Sequence, residues 1–504
     1  MGKTQTEQSG KPKEIAFGFW AGLLLFALCL LLPLPPGLTE QGRRAGAVSL
    51  LMAVWWVSEA LPIAVTALLP LALYPVLSIL GAEETAKFYA DANIFLFLGG
   101  FMLALAMQRC GLEKRIAFFL IRILGAGPRR LLAGFMLATA FISMWVSNTA
   151  TAMMMLPIGL ALLGHLEEGG ENSPDGLAGF KPALMLGIAY AASIGGVATL
   201  VGTPPNMIFA GQAKVLFPEI PPIQFSEWMI LGFPLAAGFL GISWIYLAFF
   251  VLRVKPQKDG RVLTLSPGHL PDLGPMSRAE WRVAVLFLLT VAGWITRGDL
   301  DLGNFVFHGW AGRFGLSGIH DGTVAMAAAV LLFALPSGPG NEKLLDWNAA
   351  KELPWGVLLL FGGGFALAGS LEKSGFAAWM AGGFEIFKGF PFFGFLLILN
   401  LGTVFASELM SNAAQVTMMM PVLAGAAKML AIHPYWLMVP ATMATSLAFM
   451  MPSGTAPNAI IFGSGYVSMR QMARTGFVLN ILAAFWVTAV IYLAGIPVSG
   501  AARP

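Results

Sequence analysis

Charge is what this 504-residue chain has least of: Asp, Glu, Lys and Arg make up 11% of it, against about 25% in an ordinary soluble domain. With 57% hydrophobic residues and a mean hydropathy of +0.76, that scarcity excludes a water-soluble globular fold and places the chain in a bilayer. Only two cysteines occur, Cys29 and Cys110, both in or beside apolar runs, which argues against a disulfide framework. Five dispersed histidines offer no His-rich metal centre. No Ser-Lys, Ser-His or paired-acid arrangement stands out in the apolar segments, so a membrane-embedded enzyme has little to work with. The net charge of +4 calls for no nucleic-acid partner, because the basic residues belong to loops at one membrane face.

What is present is a succession of apolar runs, near 16–35, 46–80, 94–108, 182–201, 229–252, 283–296, 323–336, 355–371, 435–451 and 476–494. Each is long enough, or nearly so, to cross a bilayer. The run at 46–80 is too long for one crossing, and Ser58-Glu59 with Pro62 divides it. About eleven transmembrane helices are therefore expected in an all-α, polytopic membrane protein. The first run follows Lys3, Lys11 and Lys13 but exceeds the length of a signal-peptide core, so it reads as an uncleaved first helix. With the N-terminus cytoplasmic, 20 of the 30 basic residues fall on the cytoplasmic side, as the positive-inside rule requires, and the C-terminus ends outside. The expected location is the cell's inner (plasma) membrane.

Two stretches repeat one another. Ser147-Asn148-Thr149-Ala150, followed by Met154, Met155 and Pro157, matches Ser411-Asn412-Ala413-Ala414, followed by Met418, Met419 and Pro421, at a step of 264 residues. Gly100 and Gly364 head similar segments at the same step. Downstream, Gly202-Thr203-Pro204-Pro205-Asn206 matches Gly454-Thr455-Ala456-Pro457-Asn458 at a step of 252. The Ser-Asn pairs sit mid-way in segments 131–163 and 391–430, which suit two half-length helices meeting at a polar tip. Flanking charges place the first hairpin's opening inside and the second's outside, so the two halves predict an inverted repeat with two re-entrant hairpins. The Gly-Thr-Pro-Pro-Asn and Gly-Thr-Ala-Pro-Asn motifs predict broken helices, since glycine and proline interrupt the backbone ladder. Irregular backbone at membrane depth is tolerated only when buried in protein or lining a cavity.

The expected division is 1–92 as N-terminal scaffold helices, 93–252 as the first repeat, 253–282 as a cytoplasmic linker, 283–353 as further scaffold helices and 354–504 as the second repeat. The converging polar groups are Ser147, Asn148, Thr149, Thr203, Ser411, Asn412 and Thr455. With no Arg, Lys or His among them, an anion there would be held by helix N-termini, hydroxyls, amides and co-bound cations. Sodium, a hard ion, suits free carbonyl and hydroxyl oxygens.

Plainer readings hold for other features. Small polar residues commonly serve tight helix packing in membranes, but duplication at one offset disfavours that for the Ser-Asn pairs. The Met153–Met155 and Met418–Met420 runs read as core or lipid-facing filling. Glu408 is a possible proton site, for which a structural role bonding hairpin backbone is preferred. Gly362-Gly363-Gly364 reads as a close helix approach, and 109–130 as an amphipathic surface helix. A channel is disfavoured because two occluding hairpins suit alternating access.

The hairpin tips, the two helix breaks, and the Phe97-Leu98-Gly99-Gly100-Phe101 segment with Gly111-Leu112 and Arg115-Ile116-Ala117 resemble the divalent anion:sodium symporter family over nearly the whole chain. The resemblance implies homodimers with a scaffold domain and a moving transport domain working as an elevator. It also implies sodium as the coupling ion. One sodium site would use Ser143, Ser147, Asn148 and the Gly202 backbone; the other would use Ser407, Asn412 and the backbone at Met410 and Gly454. Ala413 and Ala456 depart from the fuller donor set of many members. The expected activity is sodium-coupled symport of dicarboxylates such as succinate, malate or fumarate. Dicarboxylate exchange, and carriage of citrate or sulfate, stay open.

Overall fold

The computed structural model describes residues 12–124, 127–168, 179–252, 273–301, 306–316, 318–339, 342–387 and 389–496. Most of the expected linker 253–282 lies outside the described residues. Among the described residues the architecture is helical, with one two-residue β pair joining Leu300–Asp301 to Val306–Phe307. In chain order the principal helices begin with α1 (Pro12–Leu31), α2 (Glu40–Val57), α3 (Leu69–Val76), α4 (Ala92–Cys110) and α5 (Leu112–Leu124). There follow α6 (Pro128–Ser143), α7 (Asn148–Glu168), α8 (Phe180–Val197), α9 (Pro204–Leu216) and α10 (Phe225–Tyr246). The second half holds α11 (Arg278–Ile295), α12 (Asp321–Ala334), α13 (Trp355–Lys373), α14 (Phe392–Ser407) and α15 (Asn412–Leu430). It closes with α16 (Tyr435–Thr445), α17 (Ala456–Gly463) and α18 (Met469–Ala494).

Among the described residues, six helical stretches are long and apolar enough to cross a bilayer by length and composition: Ala82–Cys110, Phe180–Val197, Phe225–Val251, Trp355–Lys373, Asn412–Leu430 and Met469–Ala494. Shorter apolar helices accompany them, because several segments stop at mid-length on a Ser-Asn pair or a Gly-Thr motif. Large apolar side chains face outward, among them Phe17, Leu31, Phe119, Leu289 and Leu493. In water that would be costly; against lipid tails it is not.

Ion pairs gather in two groups. Arg109 meets Asp346 at 2.6 Å and Arg115 meets Glu280 at 2.8 Å. The other group contains Lys214–Asp91 at 2.9 Å, Lys428–Glu372 at 2.5 Å, Arg297–Asp321 at 2.5 Å, and Lys373 with Glu84. Helix α4 spans the two: Asp91 caps its start and Arg109 lies in its last turn, about 27 Å away at 1.5 Å per residue. That is close to the hydrocarbon thickness of a membrane. The three-glycine run of α13 is a close approach, as its composition suggested: a Cβ at Gly363 would lie 2.3 Å from the Ala67 carbonyl oxygen.

The main core wraps the two polar-tipped hairpins. Helix α8 lies against α6 and α7, and α16 lies against α14 and α15. The halves then exchange arms: α9 packs on α15 and α13, while α17 packs on α7 and α8. A second, smaller core joins α2 and α3 to one face of α13, through Val48, Met52, Trp56, Tyr74, Leu367 and Leu371.

Candidate functional site

At the first hairpin, α6 ends on Ser143 and α7 begins on Asn148. The Ser143 hydroxyl lies 2.7 Å from both the Asn148 Oδ1 and the Ala192 carbonyl, tying the tip to α8. Ser147 Oγ accepts from the Ala150 N–H at 3.3 Å, closing the first turn of α7. The hairpin can sit this close only because α8 presents glycines: a Cβ at Gly195 would lie 2.2 Å from the Ala140 oxygen, and one at Gly196 would lie 2.4 Å from Asn148 Oδ1.

Helix α8 stops at Val197, and its loosened backbone is re-satisfied by side chains. Asn206 Nδ2 donates to the carbonyls of Gly196 at 3.1 Å and Thr199 at 2.7 Å. Thr199 Oγ1 donates to the Met144 carbonyl at 2.5 Å and accepts from the Gly202 N–H at 3.1 Å. Thr203 then precedes α9 in an extended conformation (φ −147°, ψ 144°), and proline follows at the first helical turn.

The second half repeats these bonds. Ser407 Oγ lies 2.6 Å from both the Asn412 Oδ1 and the Thr445 carbonyl. Asn458 Nδ2 donates to Ala448 at 3.2 Å and Met451 at 3.1 Å, each 252 residues beyond its first-half counterpart. Thr455 (φ −144°, ψ 148°) caps α17 and accepts from the Asn458 N–H at 3.4 Å. One difference stands out: Glu408 occupies the place of Met144, and Met451 that of Thr199. The buried Glu408 carboxylate accepts from the Met450 N–H at 2.8 Å, the Met451 N–H at 2.9 Å and Asn480 Nδ2 at 2.7 Å. It therefore has a structural role, as preferred from the sequence, but the backbone it bonds is that of the helix break and not that of the hairpin.

The anticipated residues fall as follows. Ser143, Asn148 and Gly202 converge around Gly196, whose oxygen would lie 2.5 Å from a Cβ on Gly202. Ser407 joins Asn412, while Gly454 abuts the Glu408 carboxylate and Met410 lies in the turn between α14 and α15. Thr203 and Thr455 are buried at the breaks; Ser147, Thr149, Ser411 and Asn412 are half-buried at the tips. Helices α7, α9, α15 and α17 all begin at these tips and breaks, while α6, α8, α14 and α16 end there. Helix starts carry partial positive charge and ends partial negative charge. The arrangement thus offers N–H donors to an anion and carbonyl and hydroxyl oxygens to cations. Among the described residues no group of three or more His, Cys, Asp or Glu accompanies it.

Thr199 and Asn480 were not singled out from sequence. Asn480 carried one available signal, a lone carboxamide inside the apolar α18; Thr199 carried none. Asn206 and Asn458 were legible as the closing letters of a repeated motif but not as the staples of the breaks.

The fold is shared with solved transporter structures. The solved structure of the Alcanivorax borkumensis transporter YdaH superposes with a TM-score of 0.55, covering 97% of this chain and 100% of that one at 15% identity. Neisseria gonorrhoeae MtrF gives a TM-score of 0.55, covering 98% of each chain at 12% identity. At such identities the likeness is of fold alone. The chain itself belongs to the sodium:sulfate symporter family, the divalent anion:sodium symporters its motifs resemble: the profile of the sodium:sulfate symporter transmembrane region matches residues 16–499. It is 42% identical over 489 residues to the sodium-dependent dicarboxylate transporter SdcS of Staphylococcus saprophyticus, spanning 96% of this chain and 92% of that protein. The protein of the same name from Staphylococcus aureus is 41% identical over 496 residues, spanning 96% and 93%. These relatives are transporters, not enzymes.

Proposed function

We propose that the protein is a sodium-coupled symporter of dicarboxylates such as succinate, malate or fumarate. The observation that carries this reading is the twofold Ser–Asn–carbonyl clasp, Ser143–Asn148–Ala192 and Ser407–Asn412–Thr445, at which four helices begin and four end. Two sodium ions would sit at the oxygen-rich ends, one with Ser143, Ser147, Asn148 and Gly202, the other with Ser407, Met410, Asn412 and Gly454. The anion would lie between the tips, against Ser147, Asn148, Thr149 and Thr203 on one side and Ser411, Asn412 and Thr455 on the other.

Magnitudes favour coupling. Removing one carboxylate from water costs several kcal/mol, so a dianion must recover roughly ten. A helix start contributes at most about 2 kcal/mol, and a hydrogen bond to a charged group about 1.5–3 kcal/mol. Helix starts and hydroxyls approach the requirement, and two neighbouring cations meet it. Sodium accordingly binds first, orders both tips and creates the anion site.

With each broken helix counted once and the Ile63–Thr66 turn joined to α3, the described residues would supply eleven segments between the two charged ends. The two hairpins would open toward opposite ends, as an inverted repeat requires. In this reading the group containing Arg109 and Arg115 is cytoplasmic, the N-terminus lies inside and the C-terminus outside. Repeats 93–252 and 354–504 supply a transport domain that slides as an elevator against the scaffold helices of a homodimer.

Asn148 shares the first tip between cation and anion. Asn148→Ala is expected to abolish sodium-driven succinate uptake while the variant still inserts and purifies as a monodisperse species. Uptake by that variant near the unmodified rate would remove the site assignment.

A further inference from the structure

The two halves lock their broken helices differently. In the first, the lock is neutral: Thr199 Oγ1 joins the Met144 carbonyl to the Gly202 N–H. In the second it is a carboxylate. Three successive N–H groups just beyond α16 turn toward one cluster, Phe449 to Asn480 Oδ1 at 3.0 Å, and Met450 and Met451 to the two oxygens of Glu408. Among the described residues, the hydrogen bonds to that carboxylate all come from N–H donors, so its oxygens are satisfied as acceptors. The opposite side of the same backbone is held too: Asn458 grips the Ala448 and Met451 carbonyls, and Tyr190 Oη donates to the Phe449 carbonyl at 3.1 Å.

Glu408 is also the immediate neighbour of Ser407, whose hydroxyl lies between Asn412 and the Thr445 carbonyl. The pair 407–408 therefore grips the break on both sides, at the last carbonyl of α16 and at the N–H groups that follow. A Cβ on Gly454 would lie 2.5 Å from Glu408 Oε2, so the carboxylate rests directly against a backbone segment assigned above to the second sodium. Met144 brings no charge to the equivalent place in the first half.

We infer that Glu408 is the positioning residue of the second cation site and makes the two sodium sites inequivalent, the second filling at the lower sodium concentration. Two effects act together. The carboxylate fixes the backbone whose carbonyls face the ion, and its negative charge lies beside that ion in a setting that screens charge far less than water does. Glu408 need not touch the ion; it acts through Gly454 and the 449–451 backbone. The inference rests on the sodium-coupled reading given above.

The test is sodium-dependent thermal stabilisation of the purified, detergent-solubilised protein, titrated with NaCl at constant ionic strength against choline chloride. Sodium-driven succinate uptake is measured in parallel. Glu408→Gln keeps the shape but turns an NH2 toward an N–H donor. It is expected to raise the sodium midpoint by about tenfold or more, with the sodium dependence of succinate uptake shifted in the same direction. Asn480→Ser, which removes one donor and leaves the carboxylate, is expected to shift the midpoint in the same direction by less. It carries the test if Glu408→Gln does not fold. A residue that merely supports the fold would lower yield and melting temperature without moving the midpoint. An unchanged midpoint in the folded variants overturns the inference. Failure of the unmodified protein to be stabilised by sodium at all would instead overturn the sodium reading on which it rests.

Discussion

Thr199 illustrates how much one hydroxyl does at this site: it closes the gap between the first hairpin and the broken helix by donating to Met144 and accepting from Gly202. Thr199→Val keeps the volume and leaves a buried carbonyl and a buried N–H unpaired, a loss of about 1–3 kcal/mol for each group left without a partner. A lower melting temperature in detergent, together with reduced uptake, is the expected outcome; a melting curve and rate equal to the parent's would contradict the role given to this hydroxyl. The tips themselves were legible in the sequence, because Ser147-Asn148 and Ser411-Asn412 interrupt apolar runs. Their partners were not. Ser143 with the Ala192 carbonyl, or Glu408 with Asn480, are meetings of distant segments that no local pattern encodes.

Helix packing around the tips tolerates little. Gly195→Ala places a methyl 2.2 Å from the Ala140 oxygen, a backbone atom that cannot step aside. It is expected to prevent formation of the first hairpin, seen as loss of monodisperse protein on gel filtration. Gly241→Ala, on α10 with nothing within 4 Å of the new carbon, is expected to behave as the parent. The amphipathic α5 raises a separate matter. Glu113 is buried there with one carboxylate oxygen unpartnered, and desolvation raises its pKa to about 7, opposed by Lys114. A raised carboxyl pKa means stability that is full below about 4.5 and is lost as pH rises through about 7. Glu113→Gln is therefore expected to melt with the parent at pH 4.5 and above it at pH 8, by at most about 3 kcal/mol. Equal melting at both pH values would contradict the burial argument. An amphipathic helix was legible from the charge pattern, but it spans 112–124 rather than the expected 109–130; the burial of Glu113 depends on how α4, α6 and α11 close over it.

Across the whole molecule, scarcity of charge fixes the bilayer as solvent, and ion pairs lie at two ends separated by about the length of α4. Membrane class, helical architecture and family were all legible in the sequence, since composition and repeated motifs are properties of the chain itself. The exchange of arms between halves, α9 onto α15 and α17 onto α7, was not, because it depends on how two similar units interlock. That exchange sets each break against the other half's hairpin, which supports the proposal of a single site shared by cation and anion. The most direct test is uptake of radiolabelled succinate into proteoliposomes of the unmodified protein, with and without an inward sodium gradient. The account requires accumulation that depends on the gradient and vanishes when choline replaces sodium. Uptake indifferent to sodium and driven only by dicarboxylate inside the vesicles would contradict it.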